Sequence, residues 1–188
     1  MFIYVKMENP FVFCDNAHIT VKDGIIAYNG LSRYACIDNS GYFVTYEVNS
    51  IGDLHGDYSV FMENGQKIIQ YNYKDGFLDG LQQVWYPNGN REAVYYVVEG
   101  TLHGYKRLFY ENGQKNEEVM YINGCREGLL CKWHPSQDIG NKKNGSNHGN
   151  MAKQQIFIRC SYHKDKICGR FNIWDINGNM VHEQMVFE

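Results

Sequence analysis

The amino-acid sequence predicts an all-β protein, built as a single-layer antiparallel meander of β-hairpins with an atypical N-terminal cap. Composition is the first observation behind this prediction: 15% of the 188 residues are aromatic, with 15 Tyr, and the chain has 19 Gly but only 3 Pro. This mixture suits many strands joined by glycine-containing turns. The second observation is an internal repeat of 24 residues, in which two glycine turns separate runs rich in Tyr, Phe, Val and Ile.

The repeat keeps a strict register, with units that begin at Gly56, Gly80, Gly104 and Gly128. An aromatic residue lies five positions after each first glycine, and an Asn-Gly pair begins eight positions after it in every unit but that of Gly128. Such repeats are typical of solenoids, in which each unit stacks on its neighbours. With a last unit that begins at Gly169, the recurring aromatic residues are Phe61, Trp85, Phe109, Trp133 and Trp174, and the turn glycines are Gly65, Gly89, Gly113 and Gly178.

Each unit predicts one β-hairpin. Asn-Gly is the strongest short hairpin signal, because both residues tolerate a positive φ. In the unit that begins at Gly56, we expect strands over 57–62 and 67–74, and a second turn at Lys74-Asp75-Gly76 that leads into the next unit. Successive hairpins should then pair with each other as one antiparallel meander.

The chain divides into a cap and a repeat array. Residues 1–31 do not fit the register and are expected to form an N-terminal β cap, whereas 32–188 form the array. An insertion at 135–153 is polar, rich in Asn, Gly and Lys, and is expected to be a mobile loop at a hairpin tip. The return strand should follow over 155–160. The units of the array begin near 32, 56, 80, 104, 128 and 169.

These units resemble the MORN repeat (membrane occupation and recognition nexus), and most closely its longer variant with the pattern G-x4-aromatic-x2-NG. The unit Gly80–Gly104 shows the pattern best, with Trp85, Gly89 and Gly100 in place. The resemblance departs at His134-Pro135, where the insertion replaces the turn. It implies a membrane-associated or protein-binding scaffold. Similar repeats occur in bacterial antitoxin or immunity proteins and in large DNA viruses, and they often accompany a catalytic domain.

The six cysteines include no CxxC pair, so the usual spacing of a structural zinc site is missing. Cys131 and Cys160 are expected to lie nearly opposite each other in the fourth hairpin, as a thiol pair that could form a disulfide or a metal site. The alternative is that both are small apolar residues of the core. His55 and His103 precede first glycines and are expected to be polar turn residues, since other units place Asp79, Glu127 or Cys168 there.

The column of five recurring aromatic residues has two interpretations. It could be an exposed stripe on which a ligand stacks, or the packing spine of the solenoid. The second is favoured, because a repeated large aromatic side chain fills a thin core efficiently.

Catalysis is not expected, because GxSxG, HExxH, GxxxxGK[ST] and GxGxxG motifs are all missing. We therefore expect no catalytic residue, no cofactor and no metal. A net charge of −3 argues against a nucleic-acid partner. The sequence has no apolar run of transmembrane length and no basic leader, so a cytoplasmic protein is expected.

The sequence therefore predicts a non-catalytic scaffold that binds one or more proteins, in one form as a structural component of a large assembly such as a viral particle. Binding could use a sheet face or the strand that ends at Met185–Glu188, because strand edges invite pairing. One alternative is an antitoxin-like inhibitor of a partner toxin. Another is a peripheral membrane module, with weak attraction from Lys142, Lys143 and Lys153. The sequence leaves the oligomeric state open.

Overall fold

A computed structural model provides the fold and contains only strands and turns among the residues it describes. These residues are 20–22, 25–28, 31–37, 40–135 and 154–187. The chain forms two compact halves, Met1–Thr101 and Leu102–Glu188. The predicted all-β antiparallel meander is confirmed in each half.

In the N-terminal half, each strand from β1 to β5 pairs antiparallel with the next, β6 pairs with both β7 and β8, and β8 pairs with β9. The expected strand 67–74 matches β6, and the expected strand 57–62 is realised as the slightly longer β5. The strands are β1 (Thr20–Lys22), β2 (Ile25–Tyr28), β3 (Leu31–Ile37), β4 (Phe43–Val48), β5 (Leu54–Phe61), β6 (Lys67–Lys74), β7 (Phe77–Leu78), β8 (Gly80–Trp85) and β9 (Arg91–Val98).

After the two-residue strand β10 (Thr101–Leu102), the C-terminal half continues the same pattern. Each of its strands pairs antiparallel with the next. The return strand expected at 155–160 is β14, whereas residues 136–153 of the predicted loop lie outside the described residues. The strands are β11 (Gly104–Phe109), β12 (Lys115–Ile122), β13 (Cys125–Trp133), β14 (Ile156–His163), β15 (Lys166–Trp174) and β16 (Met180–Val186).

The Asn-Gly turns are three-residue loops rather than two-residue ones. The Gly65 N–H donates to the Met62 carbonyl at 2.9 Å, and the Met62 N–H donates to the Gln66 carbonyl at 2.9 Å. Gly65 has a φ of +83°, but Asn64 keeps a negative φ, as expected for a type I turn followed by a glycine bulge. Asn64 stabilises the turn through its side chain instead of through a positive φ, because its Oδ1 accepts the Gln66 N–H at 3.0 Å.

The paired left-handed residues occur instead at the turns between repeats. Asp75 and Gly76 have φ of +48° and +84°, the signature of a tight type I′ hairpin. Glu99 with Gly100 and Asn123 with Gly124 repeat this conformation. The two turn types therefore alternate at opposite ends of the strands.

Each half has a small core. In the C-terminal half, Val119, Leu130 and Cys160 lie side by side on three neighbouring strands and are almost fully buried. The partly buried side chains that pack against them are Tyr121, Ile158, Tyr162, Ile167 and Phe171. In the N-terminal half, the buried apolar side chains are Val44, Val60, Ala93 and Val97.

Strands β6 and β8 pair directly at only two positions, Ile69 with Val84 and Gln70 with Gln83. A side-chain amide continues the hydrogen bonding between the two strands. Beyond that point the Asn72 N–H donates to Oε1 of Gln82 at 3.0 Å, and Nε2 of Gln82 donates to the Asn72 carbonyl at 3.1 Å. The Gln82 side chain has no exposed surface. It takes the place of a missing backbone peptide, because an amide carries the same donor and acceptor.

Candidate interaction surfaces

The column of recurring aromatic residues lies beside the Asn-Gly turns, or, at Trp133, beside the insertion that replaces the turn. Its five members are half-buried, and each coincides with a shift in strand register. The centroids of the Phe61 and Phe43 rings lie 5.9 Å apart, and the Lys67 ammonium lies 5.3 Å from the centroid of the Phe61 ring. Lys115 covers Trp133 in the same way at 5.2 Å. These contacts support the packing role that we propose for the column.

A second row of aromatic side chains, which the sequence analysis did not identify, runs across one face of the N-terminal half. The rings of Tyr34 and Tyr46 stack at 5.2 Å, and those of Tyr46 and Tyr58 lie 6.5 Å apart. Tyr58 continues the row to Tyr71 at 6.4 Å and to Tyr73 at 6.0 Å. We call this the tyrosine face. The spacing of 12 residues between Tyr34, Tyr46 and Tyr58 was the available signal.

The tyrosine face extends to β9 through Tyr95. Burial is the main cause that raises the pKa of Tyr95, with a hydrogen bond to Tyr71 as the next cause. The Tyr95 phenol is therefore neutral, and the rings of the row pack as apolar bodies with a polar tip.

The other face of the same half is polar. The Ser59 hydroxyl donates to Oδ2 of Asp57 at 3.2 Å, and Nε2 of Gln70 donates to Oδ1 of Asp57 at 3.0 Å. Lys67 donates in turn to Oε1 of Gln70 at 3.2 Å. Gln83 pairs with Gln70 across the strands and belongs to this polar face.

Four large apolar side chains interrupt the polar face near the turns between repeats. Phe77 is 62% exposed, whereas Leu81, Tyr96 and Val98 are between 43% and 46% exposed. Leu81 lies directly opposite Tyr96, and Val98 follows two residues later on the same face. Phe77 pairs with Lys74, which shares the face of Gln70. We call Phe77, Leu81, Tyr96 and Val98 the exposed apolar patch.

A shallow cleft adjoins this patch, shares Phe77 with it and is otherwise lined by charged residues. Its lining consists of Lys74, Asp75, Phe77, Asp79 and Glu99. Hydrogen bonds from Asn49 and His55 lower the pKa of Asp75, so its carboxylate is ionised at neutral pH. The cleft therefore places three carboxylates against one ammonium around an exposed aromatic ring.

The C-terminal half exposes apolar side chains at equivalent repeat positions. Tyr105 and Leu129 follow the first glycines of their units, as Leu81 does, and both are exposed. Tyr105 lies opposite Met120 on the face away from the core. The Arg107 guanidinium lies 5.0 Å from the Tyr105 ring centroid and donates from Nε to Glu118 at 2.6 Å.

The thiols of Cys131 and Cys160 are not directly opposite each other. Cys131 pairs with Arg159 and Cys160 pairs with Leu130, so the two thiols project from opposite faces of the sheet. A bulge between Lys132 and Trp133 shifts the register by one residue. Both cysteines are free, and burial raises the pKa of each thiol. This alignment does not suit a disulfide between them.

In three of the units, the residue before the first glycine supports a turn between repeats. Nδ1 of His55 lies 3.0 Å from Oδ1 of Asp75, and Oδ2 of Asp79 accepts the Glu99 N–H at 3.0 Å. Glu127 accepts the Lys164 N–H at 3.1 Å in the C-terminal half. This is the role of a polar turn residue. Within the described ranges, no group of three or more His, Cys, Asp or Glu side chains is placed to hold a metal ion.

Two further findings bear on the kind of protein. None of the described residues forms a helix that could span a bilayer. Residues 54–75, 78–96 and 102–123 match the family model of the MORN repeat variant. The first two segments lie in the N-terminal half and the third in the C-terminal half. No curated protein matches the chain.

Proposed function

Because residues 54–123 carry three repeats of this variant type, the chain is a MORN-repeat protein, and we propose that it is a non-catalytic platform that binds another protein. MORN repeats are in general modules that bind proteins or membranes. The fold supports this role because ordered strands present their side chains in rows at fixed spacing.

One observation carries the proposal: large apolar side chains are exposed at the same position of successive repeats. Leu81, Tyr105 and Leu129 each follow the first glycine of a unit, and each is at least 42% exposed. Exposed apolar side chains at a repeated position mark interaction sites, because their burial by a partner removes them from water.

The form of this function that we favour is a structural part of a larger assembly, of which a viral particle is one example. The alternative is an antitoxin-like inhibitor that covers one toxin. The net charge of −3 is modest for a protein that must cover a strongly basic nuclease, which favours the assembly. A peripheral membrane role is the third form, and the carboxylates beside the exposed apolar patch oppose it.

Affinity purification of the tagged full chain from its native host, with quantitative mass spectrometry, tests the proposal. Co-purification with a large assembly supports the scaffold role. A single small stoichiometric partner supports the inhibitor role instead. If no protein is enriched over an untagged control while the chain floats with anionic liposomes, the protein-binding proposal is wrong and the membrane role replaces it.

A further inference from the structure

The exposed apolar patch and the cleft beside it combine two kinds of chemistry in one place. The Phe77 ring is the most exposed apolar side chain of the patch, and it also lines the cleft. Asp75, Asp79 and Glu99 line the same cleft and give it three carboxylates. A partner that covers this surface must bury apolar groups and meet negative charge at once.

Two of the three carboxylates are held by contacts of the turns. Asp79 accepts the backbone N–H of Glu99 at 3.0 Å, and Asp75 lies 3.0 Å from both the Asn49 amide and His55. These contacts restrain two carboxylates of the cleft that Phe77 also lines. Fixed carboxylates reduce the entropy that a partner loses on binding.

We infer that the exposed apolar patch docks a protein segment in which arginine side chains alternate with large apolar ones. This inference rests on the proposed function and names the partner chemistry of one surface. A guanidinium stacks on an aromatic ring and donates to carboxylates in its plane, and this cleft offers the Phe77 ring together with three carboxylates. Apolar side chains of the same segment pack against Leu81 and Tyr96.

Other partners fit this surface less well. An anionic membrane would meet repulsion from the carboxylates beside Phe77. A nucleic-acid backbone would meet the same repulsion. An acidic peptide would be repelled by the three carboxylates, which outnumber the one ammonium of the cleft. A segment with only charged groups would leave the patch exposed to water.

The test measures binding of short fluorescein-labelled peptides to the full chain by fluorescence anisotropy. The probe alternates arginine and leucine. One companion replaces every arginine by glutamate, and another replaces every leucine by serine. Phosphatidylserine vesicles provide a membrane arm in the same buffer.

Two variants of the patch separate its contributions. Phe77→Ser removes the exposed ring, and Glu99→Lys reverses one charge of the cleft. Both positions are exposed and lie outside the core, so folding should persist, and circular dichroism checks this. Ile176→Ser and Glu63→Lys are the matched controls, since both residues are exposed and lie in Asn-Gly turns.

We expect the arginine–leucine peptide to bind the native chain and to lose affinity by about tenfold or more with each patch variant. The control variants and the native chain should bind it equally, and the two companion peptides should bind weakly. The inference is overturned if the native chain does not bind the probe or if the patch variants bind it unchanged. Equal binding of the glutamate peptide, or vesicle binding that Phe77→Ser abolishes, also overturns it.

The same variants distinguish this inference from the proposed function when they serve as baits in the native host. A partner that the native chain and the controls retain, but Phe77→Ser loses, supports both. A partner that Phe77→Ser retains overturns the patch as its docking site and leaves the proposed function standing. If no bait enriches a protein, the proposed function fails.

Discussion

Gln82 is the residue whose replacement tests the packing of the repeats most sharply. Its amide joins β6 to β8 where the backbone ladder stops, and its side chain is fully buried. Gln82→Leu keeps the size of the side chain but removes the donor and the acceptor. The Asn72 N–H then has no acceptor in place of Oε1, which lies 3.0 Å away in the native chain.

The contacts around Asn72 set the magnitude of this effect. Its carbonyl keeps one hydrogen bond, because the Asp79 N–H donates to it at 2.9 Å. The Asn72 N–H is left without an acceptor, and the Gly80 carbonyl loses the Gln82 amide, which donates to it at 3.2 Å in the native chain. A single buried donor without an acceptor costs about 1–3 kcal/mol. We therefore expect Gln82→Leu to lower the free energy of unfolding by about 2 kcal/mol.

Equilibrium unfolding in urea measures the change, with Gln83→Leu as the control on the adjacent residue. Gln83 is only partly buried and lies on the polar face, so its replacement should cost less. Hydrogen exchange should accelerate at the Asn72 amide in Gln82→Leu. If the two variants unfold at the same urea concentration, the assignment of Gln82 as a substitute for a backbone peptide is wrong.

Three further predictions concern stability. Val119→Ala, at the centre of the C-terminal core, should cost about 1.5–3 kcal/mol in urea unfolding, because Val119 has no exposed surface. Gly113→Ala should cost about 1–2 kcal/mol by the same assay, because Gly113 has a φ of +83° that a Cβ disfavours. Burial would raise the pKa of Glu118, but hydrogen bonds from Arg107 and Lys115 outweigh it and lower this pKa. The ion pairs of Glu118 therefore stabilise the fold above its unfolded pKa, near 4.5, and this contribution disappears as the pH falls through its lower folded pKa. The stability difference between the native chain and Glu118→Gln should accordingly shrink from pH 7 to pH 3 in urea titrations.

The repeat made the strands predictable because its turn residues occur at fixed intervals. The expected strand 67–74 coincides with β6, and the return strand after the insertion begins within one residue of its expected position. The turn geometry was less accessible. Asn-Gly suits two turn types, and the choice between them depends on whether the strands close with two or three residues.

The exact register of the interrupted hairpin was also less accessible. Cys131 pairs with Arg159 and Cys160 pairs with Leu130, so the two cysteines are offset by one residue within the same ladder. An offset of one residue changes the face of a side chain, so two thiols expected together project apart.

The candidate surface needed the three-dimensional structure, because exposure depends on which face of the sheet is covered. The large side chains and strict spacing of the recurring aromatic residues made them candidates for an exposed ligand-binding stripe, yet all five are half-buried. The residues after the first glycines, including Leu81 and Tyr105, differ in type from unit to unit, so they form no sequence motif that predicts a binding surface. Their shared position was the signal available in the sequence.

Photocrosslinking from position 77 in the native host tests the central claim most directly. A photoreactive phenylalanine analogue replaces Phe77, whose exposed ring lies at the centre of the proposed docking surface. The same analogue at Ile176, an exposed turn residue, is the control. We predict an adduct between position 77 and one protein whose cross-linked segment carries arginine and large apolar residues, with no such adduct from position 176. The absence of a protein adduct at position 77, or the same adduct from both positions, would contradict the account.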